Sequence, residues 1–181
     1  DGVITVADRT IIGNPNPDFV YGGYLSMNYK RLSLSVQMNG VYGNEIANGN
    51  LIQLGNAEGR TQNILSDAYT NAWRPDTQSN TYPRVGYSEI GSEAITDRII
   101  EDGSFLRISN ITLSYDVPVK AINIFSSANI YVSGMNLFTF TDYSGYNPEI
   151  TNFMNNGNIV GVDWNGFPNA KTIMLGLNLK F

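Results

Sequence analysis

Apolar and polar residues alternate with a period of two along five stretches of this chain, the pattern of strands with two unlike faces. The clearest is the last. Ile173, Leu175, Leu177, Leu179 and Phe181 fall on one side, and Thr172, Met174, Gly176, Asn178 and Lys180 on the other. From Phe19 to Tyr29 the apolar set is Phe19, Tyr21, Leu25, Met27 and Tyr29, with Gly23 among them. After Lys30-Arg31, Leu32, Leu34, Val36 and Met38 oppose Ser33, Ser35, Gln37 and Asn39. In the third stretch Ile111, Leu113, Tyr115 and Val117 oppose Asn110, Thr112, Ser114 and Asp116. In the fourth, Ile130 and Val132 oppose Asn129, Tyr131 and Ser133, and the phase blurs after Gly134, which suggests a bulge. Strands are expected near 19–30, 32–43, 104–117, 128–140 and 171–181, with long loops at 44–103 and 141–170. Within the first loop, Ile64, Leu65, Ala68 and Ala72 form a helix-like stripe around Gln62 to Ala72.

These strands are longer than the ~5–6 residues usual in soluble sheets and match the ~9–11 residues of a transmembrane β-strand. Connection lengths alternate short, long, short, long, as in outer-membrane barrels with tight turns at one end and long loops at the other. Aromatics such as Phe19, Tyr29, Tyr42, Phe105, Phe138 and Phe140 sit near strand ends, where interfacial girdles belong. The fold class expected is all-β, an antiparallel transmembrane β-barrel segment. The alternative is a secreted glycan-binding β-sandwich domain with one wet face per sheet. Five strands cannot close a barrel, and open edges in lipid leave backbone groups unsatisfied at several kcal/mol each. The chain is therefore expected to be part of a larger barrel and not a complete one.

Composition narrows the chemistry. Charged residues are only 15% of the 181, aromatics are 12%, and the net charge is −5. The polar faces are thus built of neutral amides and hydroxyls, and a nucleic-acid partner held through phosphates is not expected. With no cysteine and no histidine, disulfides, thiolate chemistry and the usual neutral-pH general base are excluded. The opening Asp1 follows neither a basic nor an apolar leader segment, and the chain is expected to begin mid-motif.

Four phrases carry a family resemblance: DGVITVADRTIIGNPNPDF (Asp1 to Phe19), TDRIIEDGSFLRISNITLSYDVP (Thr96 to Pro118), NIYVSGMNLFTFTDYSGYNPE (Asn129 to Glu149) and the final KTIMLGLNLKF. NAWRPDTQSNTYPR (Asn71 to Arg84) matches more loosely. In this order and spacing they resemble the C-terminal end of SusC/RagA-type TonB-dependent outer-membrane transporters. The resemblance implies about the last five strands of a 22-strand barrel, in the outer membrane of a Gram-negative bacterium. It also implies active uptake of a glycan or peptide solute, powered by the TonB complex through an N-terminal part with a plug. The implied partners are a SusD-like surface lipoprotein and outer-membrane lipid, and no enzyme activity is implied.

Asp1-Gly2-x-Ile4-x-x-x-Asp8 matches the second half of an EF-hand-type calcium loop, with Asp1 and Asp8 as carboxylate ligands and Val3 as a carbonyl ligand. A plain Asx-rich turn is the alternative reading, so calcium is the one candidate ion and no organic cofactor is expected. In the first long loop Trp73, Arg74 and Tyr82, with Tyr69, Arg84 and Tyr87 nearby, have the aromatic faces and planar donors that suit a sugar or peptide. Tyr146 and Trp164, with Tyr143, Phe153 and Phe167, play the same part in the second. Self-packing of the loops is the competing reading for both. Glu89, Glu93, Glu101 and Asp102 show no spacing that calls for a glycosidase pair and read as a solvated loop face.

Overall fold

The computed structural model describes residues 7, 9–55, 63–84, 95–119, 124–149 and 159–181. They fall into two units, one made of the strands and one of the segments between them.

The strand unit is a single five-stranded sheet in the order β1 (Phe19–Tyr29), β2 (Leu32–Tyr42), β5 (Phe105–Val117), β6 (Ser127–Thr141) and β8 (Thr172–Lys180). Every neighbouring pair is antiparallel. Residues directly opposite in such a ladder project to the same face, so the register can be followed across the sheet. One row reads Met27, Leu34, Leu113, Val132 and Leu175; the next reads Tyr29, Leu32, Tyr115, Ile130 and Leu177. The opposite face carries Ser26, Ser35, Thr112, Ser133 and Met174 in one row, and Asn28, Ser33, Ser114, Tyr131 and Gly176 in another. One face is therefore apolar across all five strands, and the other is mainly hydroxyl and amide.

The apolar face is the exposed one. Leu175 is 80% and Leu177 57% accessible, whereas Arg107 and Ser133 on the polar face are each 4% accessible. A soluble sheet does the reverse, burying its apolar side against a second layer. On the polar face the Asn110 carboxamide oxygen accepts from Thr112 at 2.9 Å and from Ser133 at 3.2 Å, and the two hydroxyls lie 2.9 Å apart. Arg107 Nε donates to Thr139 Oγ1 at 3.1 Å, and its guanidinium lies 5.4 Å from the Phe105 ring centre.

Two irregularities keep the faces in phase. β2 sets Gln37 opposite Asn110 but Met38 opposite Ile108, so Ser109 is an extra residue on β5. Its hydroxyl donates to the Gln37 carbonyl at 3.1 Å. This bulge brings Leu106 and Ile108 onto the face of Ile111 and Leu113, which strict alternation would deny them. Beside it, β6 carries two residues, Asn136 and Leu137, against the single Ser109. Asn136 has φ 53°, a left-handed conformation that asparagine tolerates better than most residues. The bulge expected after Gly134 thus lies at Asn136.

The other unit has a small sheet of its own, in the order β4 (Ile100–Asp102), β3 (Glu45–Asn48), β7 (Val162–Asp163). β3 runs antiparallel to β4 and parallel to β7. Ile46 and Ile99 are buried in its core with Ala68, Ala72 and Tyr143. The segment 44–103, expected as a loop with one helix around Gln62 to Ala72, is more structured than that. It holds β3, α1 (Gly49–Leu54), α2 (Ser66–Thr70), a 3-10 turn at Asp97–Ile99 and β4. Asn48 caps α1, its side chain accepting from the Asn50 amide. Among the described residues no helix is long and apolar enough to cross a membrane.

Candidate functional site

Segments far apart in sequence are fastened together in the second unit by a few polar groups. Glu101 on β4 is the first. Its Oε1 accepts from Asn48 Nδ2 at 2.9 Å and from Ser144 Oγ at 2.8 Å, and its Oε2 accepts from the Ser144 amide at 2.7 Å. Asp163 on β7 is the second. It is 1% accessible; its Oδ2 accepts from the Tyr143 hydroxyl at 2.6 Å and its Oδ1 from the Gly166 amide at 2.8 Å. Burial, with this hydrogen bond to Asp163, holds the Tyr143 phenol far above its ordinary titration range. The Asn165 amide donates to Asn50 Oδ1 at 3.0 Å, and the Ala47 amide donates to the Gly161 carbonyl at 2.8 Å. Gly161 holds φ +72° to offer that carbonyl, a conformation that favours glycine.

Glu101 was expected on a solvated loop face and is instead a hub of three donors. Its partners are 43 and 53 residues away, so no local spacing in the sequence could have signalled it. The same holds for Tyr143 and Asp163.

A cleft of about 460 Å³ opens in this unit, lined in part by Trp73, Tyr82, Pro83, Arg84, Asp97 and Arg98, with Ser79, Asn80 and Thr81. Its wall is built locally. The Trp73 amide donates to the Tyr82 carbonyl at 3.2 Å, and Arg74 and Thr77 exchange backbone hydrogen bonds at 3.0 and 3.1 Å to close the turn between them. Burial, followed by a hydrogen bond to Asp67, raises the Tyr82 phenol above its ordinary range.

The structure brings together some of the aromatic and basic residues singled out in the sequence and separates others. Trp73, Tyr82 and Arg84 share the cleft. Arg74 does not line it; its guanidinium lies 5.3 Å from the Tyr69 ring centre and donates to the Tyr69 carbonyl at 3.1 Å, which is self-packing. Trp164 covers Gly49, whose missing side chain leaves room for the indole. Tyr146 and Phe167 stand exposed. Asp1, Val3 and Asp8, the proposed half of a calcium loop, lie outside the described residues, as do Tyr87, Glu89, Glu93 and Phe153. Among the described residues no three carboxylates gather into a metal-binding group.

No protein-family model matches the chain. The chain is 36% identical, over all of its length, to the TonB-dependent receptor P3 of Formosa agariphila, of which it spans 18%. It is 28% identical, again over all of its length, to the TonB-dependent receptor SusC of Bacteroides thetaiotaomicron, of which it spans 17%. Among solved structures it superposes on the RagAB peptide transporter with a TM-score of 0.83 and 26% identity, over all of this chain and 19% of that one. The chain belongs to the SusC/RagA-type TonB-dependent receptors. A second RagAB structure, the peptide importer in its 'closed-closed' state, matches 94% of this chain with a TM-score of 0.77. The chain thus spans less than a fifth of the length of these SusC/RagA-type relatives. That accounts for a five-stranded antiparallel sheet that does not close on itself.

Proposed function

We propose that this chain is the barrel-and-loop part of an outer-membrane active transporter for a glycan or peptide. It is energised by the TonB complex through the plug-bearing part of the protein and paired with a SusD-like surface lipoprotein. The observation that carries this reading is the inverted sheet, exposed and apolar on one face across five strands and polar on the other. Contiguous apolar patches of that extent are rare on soluble monomers. In a Gram-negative outer membrane the apolar rows meet lipid and the hydroxyl and amide rows line the lumen. No charged side chain stands on the apolar rows just described, so lipid contact leaves no buried charge to compensate. The turn at Lys30-Arg31 and the β5–β6 connection leave the sheet at one end, and the two long segments leave at the other. The former end is periplasmic in this reading and the latter extracellular.

A secreted glycan-binding sandwich would bury the apolar rows under a second layer, whereas Leu175 is 80% and Leu177 57% accessible. The relatives bear receptor and transporter names rather than enzyme names, in keeping with a non-enzymatic role. Fractionation of the full-length protein tests the reading. It is expected in the outer-membrane fraction, migrating faster on gels before boiling than after, and supporting solute uptake that stops when TonB is deleted. Recovery as a soluble monomer without detergent would overturn it.

A further inference from the structure

We infer that Asn165-Gly166 is a latent modification site, an asparagine able to close on its own backbone as a succinimide, which Asp163 holds shut. Three observations carry it. Asn165 is exposed and its neighbour is glycine, so no side chain shields the following backbone nitrogen from the Asn165 carboxamide. Asn165 takes φ 61°, a left-handed conformation that asparagine tolerates, and the Gly166 amide in that turn donates to Asp163 Oδ1 at 2.8 Å. Asp163 is itself fixed: it is 1% accessible, and its other oxygen accepts from the Tyr143 hydroxyl at 2.6 Å.

The reaction needs only water. The Gly166 nitrogen gives up its proton and attacks Cγ of Asn165; the N–Cγ bond forms, the Cγ–Nδ2 bond breaks, and ammonia leaves. Water then opens the ring at either carbonyl, giving aspartate or isoaspartate, so the sum is amide plus water to acid plus ammonia. The bond to Asp163 opposes the first step twice. A carboxylate beside an N–H disfavours loss of that proton, and a charge-assisted hydrogen bond ties the nitrogen to an oxygen other than the one it must approach. The Asn165 amide is pinned as well, to Asn50 Oδ1 at 3.0 Å. Isoaspartate inserts a methylene into the main chain between these two pinned amides, so the product no longer fits the turn that protected it.

The test is peptide mapping by mass spectrometry of purified full-length protein in detergent, incubated in warm, mildly alkaline buffer. Asn165 is expected to stay intact in the wild type long after the same protein unfolded in guanidinium has lost it. Asp163→Ala is expected to deamidate at Asn165 about tenfold faster than wild type, and Asp163→Asn, which keeps an acceptor in that place, to fall between the two. Adding Gly166→Ala to Asp163→Ala is expected to slow the reaction again, because a side chain then hinders the attacking nitrogen. Asn48-Gly49 in the same unit is the control; Asn48 is 2% accessible and caps α1. Acceleration at Asn165 with Asn48 unchanged supports the site. Equal acceleration at both means that the variant merely loosened the unit, and overturns the role given to Asp163. A rate at Asn165 indifferent to Asp163→Ala overturns it too, as does a wild-type rate equal to that of the unfolded chain.

Discussion

At the scale of single residues, the buried polar groups of the second unit make the sharpest predictions. Tyr143→Phe removes the donor to a carboxylate that is 1% accessible. Leaving such an acceptor without its partner costs ~1–3 kcal/mol, more where it is charged. The expected result is faster proteolysis of the 143–167 segment with the sheet's heat stability unchanged, read by limited digestion and gel migration. Equal digestion of variant and wild type would show the bond to be idle. The pH dependence follows from the raised phenol. Folding favours the neutral form, so the contribution is fully present below the ordinary tyrosine value of about 10 and is lost as pH rises through the folded value above it. Protease resistance of this segment should therefore be flat from pH 6 to 9, and in an alkaline absorbance titration Tyr143 should ionise after the exposed tyrosines. The sequence made Tyr143 visible as a loop aromatic and left Asp163 unremarked, because a hydrogen bond between residues 20 apart leaves no periodic trace.

At the scale of elements, most of the sheet was legible and its interruptions were only partly so. Period-two alternation assigns Ile173, Leu175, Leu177 and Leu179 to one face, and the register places them in rows with Gly134, Val132, Ile130 and Ala128. Arg at Leu175 faces hydrocarbon in the barrel reading, at a cost of ~2–4 kcal/mol near the midplane, whereas Arg at Met174 faces the lumen. Lower outer-membrane abundance is expected for Leu175→Arg than for Met174→Arg, measured on the full-length protein, and equal abundance would refute the facing. The first half of β5 had no clear phase because its apolar residues, Leu106 and Ile108, have even numbers while Ile111, Leu113 and Tyr115 have odd ones. Ser109 absorbs the difference by bulging. Deleting Ser109 makes Ile108 and Asn110 neighbours, so strict alternation alone then holds Leu106 and Ile108 on the face of Ile111 and Leu113 and keeps Arg107, 4% accessible beside Thr139, on the polar face. The deletion should therefore assemble about as well as Ser109→Ala, which keeps the bulge and loses one hydroxyl bond to Gln37. Western blots of the outer-membrane fraction check this, and loss of the deletion variant alone would mean that Ser109 does more than set the phase.

At the scale of the molecule, the long segments between strands form a unit with its own sheet rather than two separate loops. β3 and β4 come from the first segment and β7 from the second. These strands are two to four residues long, too short for alternation to register, and the pairing that makes them strands comes from residues about 50 to 115 positions away. The sequence could show where the loops were but not that they were joined. Joining has a dynamic consequence. Segments fastened by backbone bonds, by Glu101 to Ser144 and by Asn165 to Asn50 should open together as one cooperative unit, since local unfolding proceeds in contiguous packed blocks. Glu101→Ala strips the acceptor from Asn48 and from two groups of Ser144 at once. Amide exchange in the full-length protein should then accelerate in 45–54 and in 143–149 and 161–166 by similar factors, while the strands β5 and β6 keep their protection. Acceleration confined to the neighbourhood of Glu101 itself would mean that the two segments move independently.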